Sequence, residues 1–300
     1  MRFSIYQDSL TGGRRLNQDR MGYCFTRDSL LMLVTDGMGG HLYGEVAARI
    51  GLHAAAAAFR MQARPALTEP AEFLELALRR GHREIMRFAR RHRLPDSPRT
   101  TIVACVVQHG QVWWAHAGDS RFYWLRHTTV LARTRDHSAT QNLIDLGLLA
   151  PDEAAFHPER NKVLNCLGSP FDPAVEIGGP RPIEPGDTLL LCTDGVWAPL
   201  QEPEVVSILA AQDVPIAVPM LVRSAVARSG AIADNATALA MTWQGTGDGL
   251  VAPSLAQAGA AGIRSTIDAE PSADGTEAAG DPQLERILRE IRQSAARTGG

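Results

Sequence analysis

The sequence predicts an α+β protein built from layers rich in antiparallel strands. Three observations carry that expectation. Apolar runs with period-two alternation recur through the first 245 residues, stretches between them switch to helical spacing, and strand pairs are followed by paired helices.

Residues 2–7 alternate apolar and polar, as a half-buried strand does. Residues 21–27 and 30–35 give two more strands, joined by a turn at Arg27-Asp28-Ser29. From Gly44 to Met61 the composition changes to alanine, with Val46, Ile50, Leu52 and Phe59 at helix-compatible spacings. A second helix is expected over 70–92, where Phe73, Leu76, Leu78, Ile85 and Phe88 recur among charged residues. Its arginine-rich end reads as a solvated face, with an acidic docking partner as the alternative. Period two then returns: TTIVACVV, QVWWAHAG, SRFYWLR and TTVLAR look like consecutive antiparallel strands. Residues 137–170 are irregular apart from a short helix at 138–146. DTLLLCTDG is another strand, helices are expected at 201–211 and 215–229, and ATALAMTW at 236–243 is the last strand. Residues 1–245 thus form one folded domain. Residues 246–300 read as a flexible low-complexity tail, with a short helix at 283–294 that carries Leu284, Ile287, Leu288 and Ile291 on one face.

Bulk properties exclude several classes. A net charge of -3 across 300 residues makes no case for nucleic-acid binding. No apolar run approaches the roughly 20 residues that span a bilayer, and the start, MRFSIYQDSLTGGRR, lacks the apolar core of a secretory signal. A cytoplasmic protein without membrane insertion is expected. Cys24, Cys105, Cys166 and Cys192 are widely spaced among mostly apolar neighbours and read as reduced core thiols.

Five aspartates share a setting. Asp36 ends LLMLVT, Asp119 follows VWWAHAG, Asp194 ends TLLLCT, Asp234 precedes ATALAMTW, and Asp19 stands just before the strand at 21–27. Aspartate is a poor strand former and costly to bury unpaired. One such residue marks a turn; several converging on one sheet edge would call for a hard divalent cation with oxygen ligands. On pattern alone, turn aspartates and a metal centre both stand. Gly37, Gly39 and Gly40 allow a sharp turn and leave the backbone approachable, so a carbonyl beside Asp36 could also face a cation. The turn is neither a GxxxxGK phosphate loop nor a GxGxxG nucleotide loop, and HxxxE from His41 to Glu45 is not the HExxH of a zinc protease.

The order of short motifs is more specific than any one of them. RRLNQD at 14–19, DGMGGH at 36–41, PRTT at 98–101, GDSR at 118–121, RDHS at 135–138, TDG at 193–195 and DN at 234–235 follow one another at compatible spacings, with HPERNKVLNCLG at 157–168 among them. This set resembles the PPM/PP2C family of metal-dependent serine/threonine protein phosphatases in its compact bacterial form, over about residues 1–245. The resemblance implies a four-layer α-β-β-α sandwich with two central antiparallel sheets flanked by helices. It implies two Mn²⁺ or Mg²⁺ ions: Asp36 would bridge both, the Gly37 carbonyl would contribute to one, and Asp194 and Asp234 would hold the other. Asp119 would serve a weaker third ion. Asp19 and Gln18 would lie behind the ligands and orient them. Arg14 would grip the substrate phosphate through its planar fork. A water activated between the ions would attack phosphoserine or phosphothreonine with no phosphoenzyme. The implied partners are phosphoproteins made by a cognate bacterial serine/threonine kinase, and a monomer is expected. A family member that has lost activity and only binds phosphoproteins is the alternative.

The departures from the family pattern matter as much. Met38 occupies the place of a histidine proposed as proton donor, and His41 reads as a local structural hydrogen-bonder, with general acid as its alternative role. Gln18 replaces a glutamate, Ala198 stands where some relatives carry an aspartate for the third ion, and Arg99 replaces a glycine. Cys192 reads as core packing and Ser120 as part of the site's shape, neither as a nucleophile. The segment 139–165 is expected to flank the active site. CTDGVWAPL and HPERNKVLNCLG also resemble phosphatases associated with type VI secretion regulation.

Overall fold

The run LLMLV is apolar throughout because its strand faces two cores. In β3 (Ser29–Thr35), Leu31 and Leu33 pack with helices, whereas Leu30, Met32 and Val34 pack with a second sheet. The computed structural model describes residues 1–38, 43–246 and 264–267. The elements that precede the middle segment are β1 (Arg2–Leu10), β2 (Arg20–Phe25), α1 (Gly44–Gln62), α2 (Pro70–Arg91), β4 (Ile102–Gln108), β5 (Gln111–Ala117), β6 (Arg121–Arg126) and β7 (Thr129–Arg133). After α3 (Ala139–Asp145) come β8 (Glu176–Pro182), β9 (Thr188–Cys192), α4 (Asp194–Trp197), α5 (Glu202–Ala211), α6 (Val214–Ser229), β10 (Ala236–Gly245) and β11 (Arg264–Ser265).

One sheet has the order β1-β10-β9-β6-β7 and the other β11-β2-β3-β4-β5-β8, with antiparallel pairing throughout. Between them lies a core that includes Phe3, Phe25, Met32, Cys105, Phe122, Trp124, Leu191 and Trp243. The alanine face of α1 and the apolar stripe of α2 bury the outer side of the larger sheet around Phe59, Leu74 and Leu78. Helices α5 and α6 cover the smaller sheet around Val205, Leu221 and Val222. The result is the expected α+β fold, two antiparallel sheets flanked by helices. Side chains of the central strands β3, β4 and β9 point to one or another of three apolar cores, so the alternation there is hydrophobic on both phases. Arg83, Arg87, Arg90 and Arg91 of α2 are exposed, which makes its basic end a solvated face. All four cysteines are buried and none is in a disulfide. Among the described residues, no helix is long and apolar enough to cross a membrane.

Four features differ from the sequence reading. QVWWAHAG and SRFYWLR are consecutive but not paired: β5 pairs with β4 and β8, and the Gly118–Ser120 turn carries the chain into the other sheet, where β6 pairs with β7 and β9. β8 escapes the alternation rule, since EIGGPRP is a mostly exposed edge strand interrupted by glycine and proline. A one-turn helix, α4, begins at Asp194 itself. Within the stretch read as a tail, Arg264 and Ser265 pair with Phe25 and Cys24, and Ile267 is buried in the helix-side core. The helix expected at 283–294 lies outside the described residues.

Candidate active site

Asp36 follows the last residue of β3, and neighbouring backbone fixes its main chain. The Thr101 N–H and the Thr100 hydroxyl both donate to the Asp36 carbonyl, at 2.9 and 2.8 Å. The Asp36 N–H donates to the Thr101 hydroxyl at 3.3 Å. Gly37 has no room for a side chain: a Cβ would stand 2.4 Å from the Gly44 carbonyl and 2.9 Å from that of Gln18. Thr100 is bolted in turn to Leu167 by a reciprocal backbone pair at 3.2 and 2.9 Å, so HPERNKVLNCLG is anchored to the same turn.

Asp194 opens α4 directly after Thr193, and the α4 turn locks onto the Asp234-Asn235 pair. A Cβ on Gly195 would fall 1.9 Å from the Asn235 carbonyl. Asn235 is the hinge pin of the loop that carries Arg14 and Gln18. Its Oδ1 accepts from the Gln18 N–H at 2.8 Å, and its Nδ2 donates to the carbonyls of Thr11 and Leu16 at 2.8 and 3.1 Å. Arg14 Nη2 donates to Asp234 Oδ2 at 2.7 Å. The Gln18 amide donates to Glu45 at 3.1 Å. Asp19 is buried; its Oδ2 accepts from the Thr193 hydroxyl at 2.9 Å, and its Oδ1 has no hydrogen-bond partner.

These elements meet in one open cleft of about 580 Å³ lined by Arg14, Gln18, Asp36, Gly37, Asp119, Asp194 and Asp234, with Asn161 and Val163 contributed by the middle segment. Asp19 sits beneath this lining through its bond to Thr193. His41 lies outside the described residues, so the structure gives it no position. Met38 does line the cleft.

So many carboxylates resist ionising together. Burial first, then repulsion from Asp19 and Asp194, pushes Asp36 well above the usual carboxylate range. Burial, then Asp194, does the same to Asp119. Burial and then Asp234 raise Asp194 to about 6, and burial raises Asp19 to about 7. The cations among the described lining residues are Arg14 and Arg15, and Arg14 is committed to Asp234. An all-oxygen donor set, a buried orphan oxygen on Asp19 and a carboxylate cluster short of positive charge fit a hard divalent cation.

A second group of potential ligands lies apart from this lining: single ligand atoms of His116, His137 and Glu176 fall within 4.8 Å of one another. Its hydrogen bonds give it a different character. His137 Nδ1 accepts from the Gly118 N–H at 3.2 Å and the Asn165 amide at 2.7 Å. The ring proton therefore sits on Nε2 and donates to Glu176 at 3.2 Å. His116 stacks on that ring, centroids 4.4 Å apart, and donates from Nε2 to the Arg135 carbonyl at 2.7 Å. A cation bound at His137 Nε2 would have to replace the hydrogen bond to Glu176, with His116 Nδ1 unpartnered beside it, whereas the aspartate cluster offers oxygen donors alone.

Several residues that shape the site were not singled out from sequence: Thr100, Thr101, Thr193 and Asn235 hold ligand-bearing backbone, and Trp197 reaches the Asp119 carbonyl. Thr100, Thr101, Thr193 and Asn235 lie within the short motifs PRTT, TDG and DN, and Trp197 within CTDGVWAPL.

Residues 9–228 match the family model for protein phosphatase 2C. The serine/threonine phosphatase stp of Listeria innocua is 32% identical over 199 residues, which are 65% of this chain and 78% of that protein. The crystal structure of the Mycobacterium tuberculosis serine/threonine phosphatase PstP/Ppp is similar with a TM-score of 0.71 at 28% identity, covering 81% of this chain and 99% of that one. The PstP catalytic domain in complex with two manganese ions gives a TM-score of 0.69 at 26% identity, over 81% and 99% of the two chains. PppA, a key regulatory component of T6SS in Pseudomonas aeruginosa, gives 0.67 at 27% identity, over 81% and 98%.

Proposed function

The chain belongs to the protein phosphatase 2C family, as a metal-dependent phosphatase of the bacterial serine/threonine type, and we propose that it hydrolyses phosphoserine and phosphothreonine in proteins at a dinuclear Mn²⁺ or Mg²⁺ centre. The observation that carries this reading is the convergence of Asp36, Asp119, Asp194 and Asp234 with Arg14 in one cleft, above the orphan oxygen of Asp19. Asp36, the Gly37 carbonyl, Asp194 and Asp234 would hold two ions, and Asp119 a weaker third. The PstP structure with two manganese ions supports that count.

When bound, the ions supply a water of lowered pKa and positive charge for the phosphoryl oxygens. The chain supplies placement. Thr100 and Thr101 fix the main chain of Asp36, so the stem of its carboxylate is already in place. The Thr193 hydroxyl fixes Asp19 and leaves its second oxygen to orient what binds above it. Arg14, on a loop pinned by Asn235, offers its planar fork to the non-bridging oxygens of the phosphate. Met38, which lines the cleft, has no proton to give the leaving alkoxide. No side chain is required as a nucleophile: burial raises the Cys192 thiol to about 12, far from a thiolate at neutral pH.

We read the protein as a cytoplasmic monomer that opposes a serine/threonine kinase, within type VI secretion control as the likeness to PppA supports. The direct test is hydrolysis of a phosphothreonine peptide by the purified chain. Mn²⁺ should restore activity after chelation, and Asp36→Asn should abolish it while leaving the fold intact. Undiminished hydrolysis in excess chelator would refute the mechanism. Comparing phosphoproteomes of cells carrying wild-type and Asp36→Asn protein would identify the substrates.

A further inference from the structure

We propose that Trp197 is a positioning residue that ties the Asp119 turn to the Asp194 turn and so sets how tightly the Asp119 position holds a cation. The inference rests on the metal reading above and adds a residue that the motif order does not assign. Trp197 is the last residue of α4, three places after Asp194, so both side chains lie on one face of a single turn. Its indole Nε1 donates to the main-chain carbonyl of Asp119 at 2.9 Å. The acceptor is backbone, so the bond persists whether or not the Asp119 carboxylate is ionised.

The indole is itself held in place. The Arg121 guanidinium lies over the Trp197 ring, 3.5 Å from its centroid. That guanidinium is fixed by a fork-to-fork pair with Asp136, at 2.8 and 2.7 Å, and by a bond to the Tyr123 hydroxyl at 3.0 Å. Both partners of the ion pair are largely buried, with side chains 14% and 7% exposed. The residue after Asp136 grips the same turn from its other side: the His137 N–H donates to the Gly118 carbonyl at 2.9 Å, and the His137 ring accepts from the Gly118 N–H. RDHS and GDSR are therefore one clamp, and Trp197 is its link to the helix that begins with Asp194. Ala198, next in sequence, carries no carboxylate. Here the adjacent residue offers the Asp119 position pre-organised backbone and no additional charge.

The test is calorimetric titration of Mn²⁺ into the metal-stripped full chain, with Mn²⁺ electron paramagnetic resonance as a second readout. Asp119→Asn defines the weak class of sites by removing it. Trp197→Phe keeps a ring over Arg121 and loses the N–H donor. It should weaken that class alone, roughly five-fold for one lost hydrogen bond, with the tight class and the chelated protein's Tm nearly unchanged. Incorporation of benzothienylalanine at 197 keeps the indole's shape without its donor and should reproduce the shift even if the phenylalanine variant folds poorly. Wild-type weak-site affinity in both variants, or a parallel loss of both classes together with Tm, would overturn the positioning role while leaving the phosphatase reading intact. A titration that Asp119→Asn does not alter would remove Asp119 as a ligand and the inference with it.

Discussion

The two walls of the cleft are built in opposite ways. On one side, Asp36, Asp119 and Asp194 follow the ends of β3, β5 and β9; Asp36 and Asp119 are held through their own backbone by groups from another segment, and Asp194 follows Thr193, whose N–H donates to the Thr237 carbonyl. On the other side, Arg14 has a side chain 54% exposed on a loop pinned by one asparagine, and Asn161 and Val163 project from a segment where Leu146, Leu148, Phe156 and Leu164 are exposed. The contrast separates two tasks. Groups that must meet a cation at fixed geometry are held rigidly, while groups that meet a variable protein substrate sit on surface loops.

If the walls divide the work this way, damage to the carboxylate wall should cost the most. Asp36→Asn should lower kcat, measured with an aryl phosphate, by at least on the order of 10²-fold, with circular dichroism unchanged. Arg14→Ala, on the open wall, should cost about 10- to 100-fold in kcat/KM, because it removes charge-assisted hydrogen bonds to phosphate without removing a ligand. Equal losses in the two variants would erase the distinction. Asn235→Ala probes the joint between the walls. It strips partners from Gln18, Thr11 and Leu16 and should destabilise the fold by about 2–3 kcal/mol in urea titrations. Asn161→Ala should be mildest: roughly 2- to 10-fold in KM for a phosphopeptide and little change for the aryl phosphate.

The carboxylate wall also carries a pH signature of definite sign. In chelator, Asp19 and Asp194, with pKa values of about 7 and about 6, and Asp36 and Asp119, which burial and neighbouring carboxylates also push up, keep protons that the unfolded chain has already released. Unfolded aspartates titrate near about 4, so stability of the metal-free protein should fall as pH rises from about 4 to 8. With saturating Mn²⁺ the slope should flatten toward zero over the same window, because the cation displaces those protons and neither the folded nor the unfolded chain then holds them. Urea denaturation at three pH values, with and without Mn²⁺, measures both slopes. A metal-free stability that rises through this range would contradict the crowding of carboxylates.

Much of the rigid wall was legible in sequence, and the reason is physical. Strand-end aspartates such as Asp36 and Asp194 violate local propensity, and such violations mark places where function overrides folding. The layered α+β fold was legible for the opposite reason, since LLMLV and TLLLC obey period two on both faces. What escaped depends on distant partners. β8 has no alternation to read, because Gly178 is glycine on account of Trp114: a Cβ there would fall 2.1 Å from its ring. The link from Trp197 to Asp119 joins residues 78 positions apart. Residues 264–267 return to β2 from a stretch of low complexity, where Ile267 gives no pattern by itself.

The central claim is that the aspartate cluster binds the cations, and a Mn²⁺ titration of wild type, Asp36→Asn and the double variant His116→Ala/His137→Ala tests it most directly. The account predicts at least two ions in wild type, loss of tight binding in Asp36→Asn, and wild-type tight binding in the histidine variant. Tight binding that survives Asp36→Asn and disappears with the two histidines would place the metal elsewhere and contradict it.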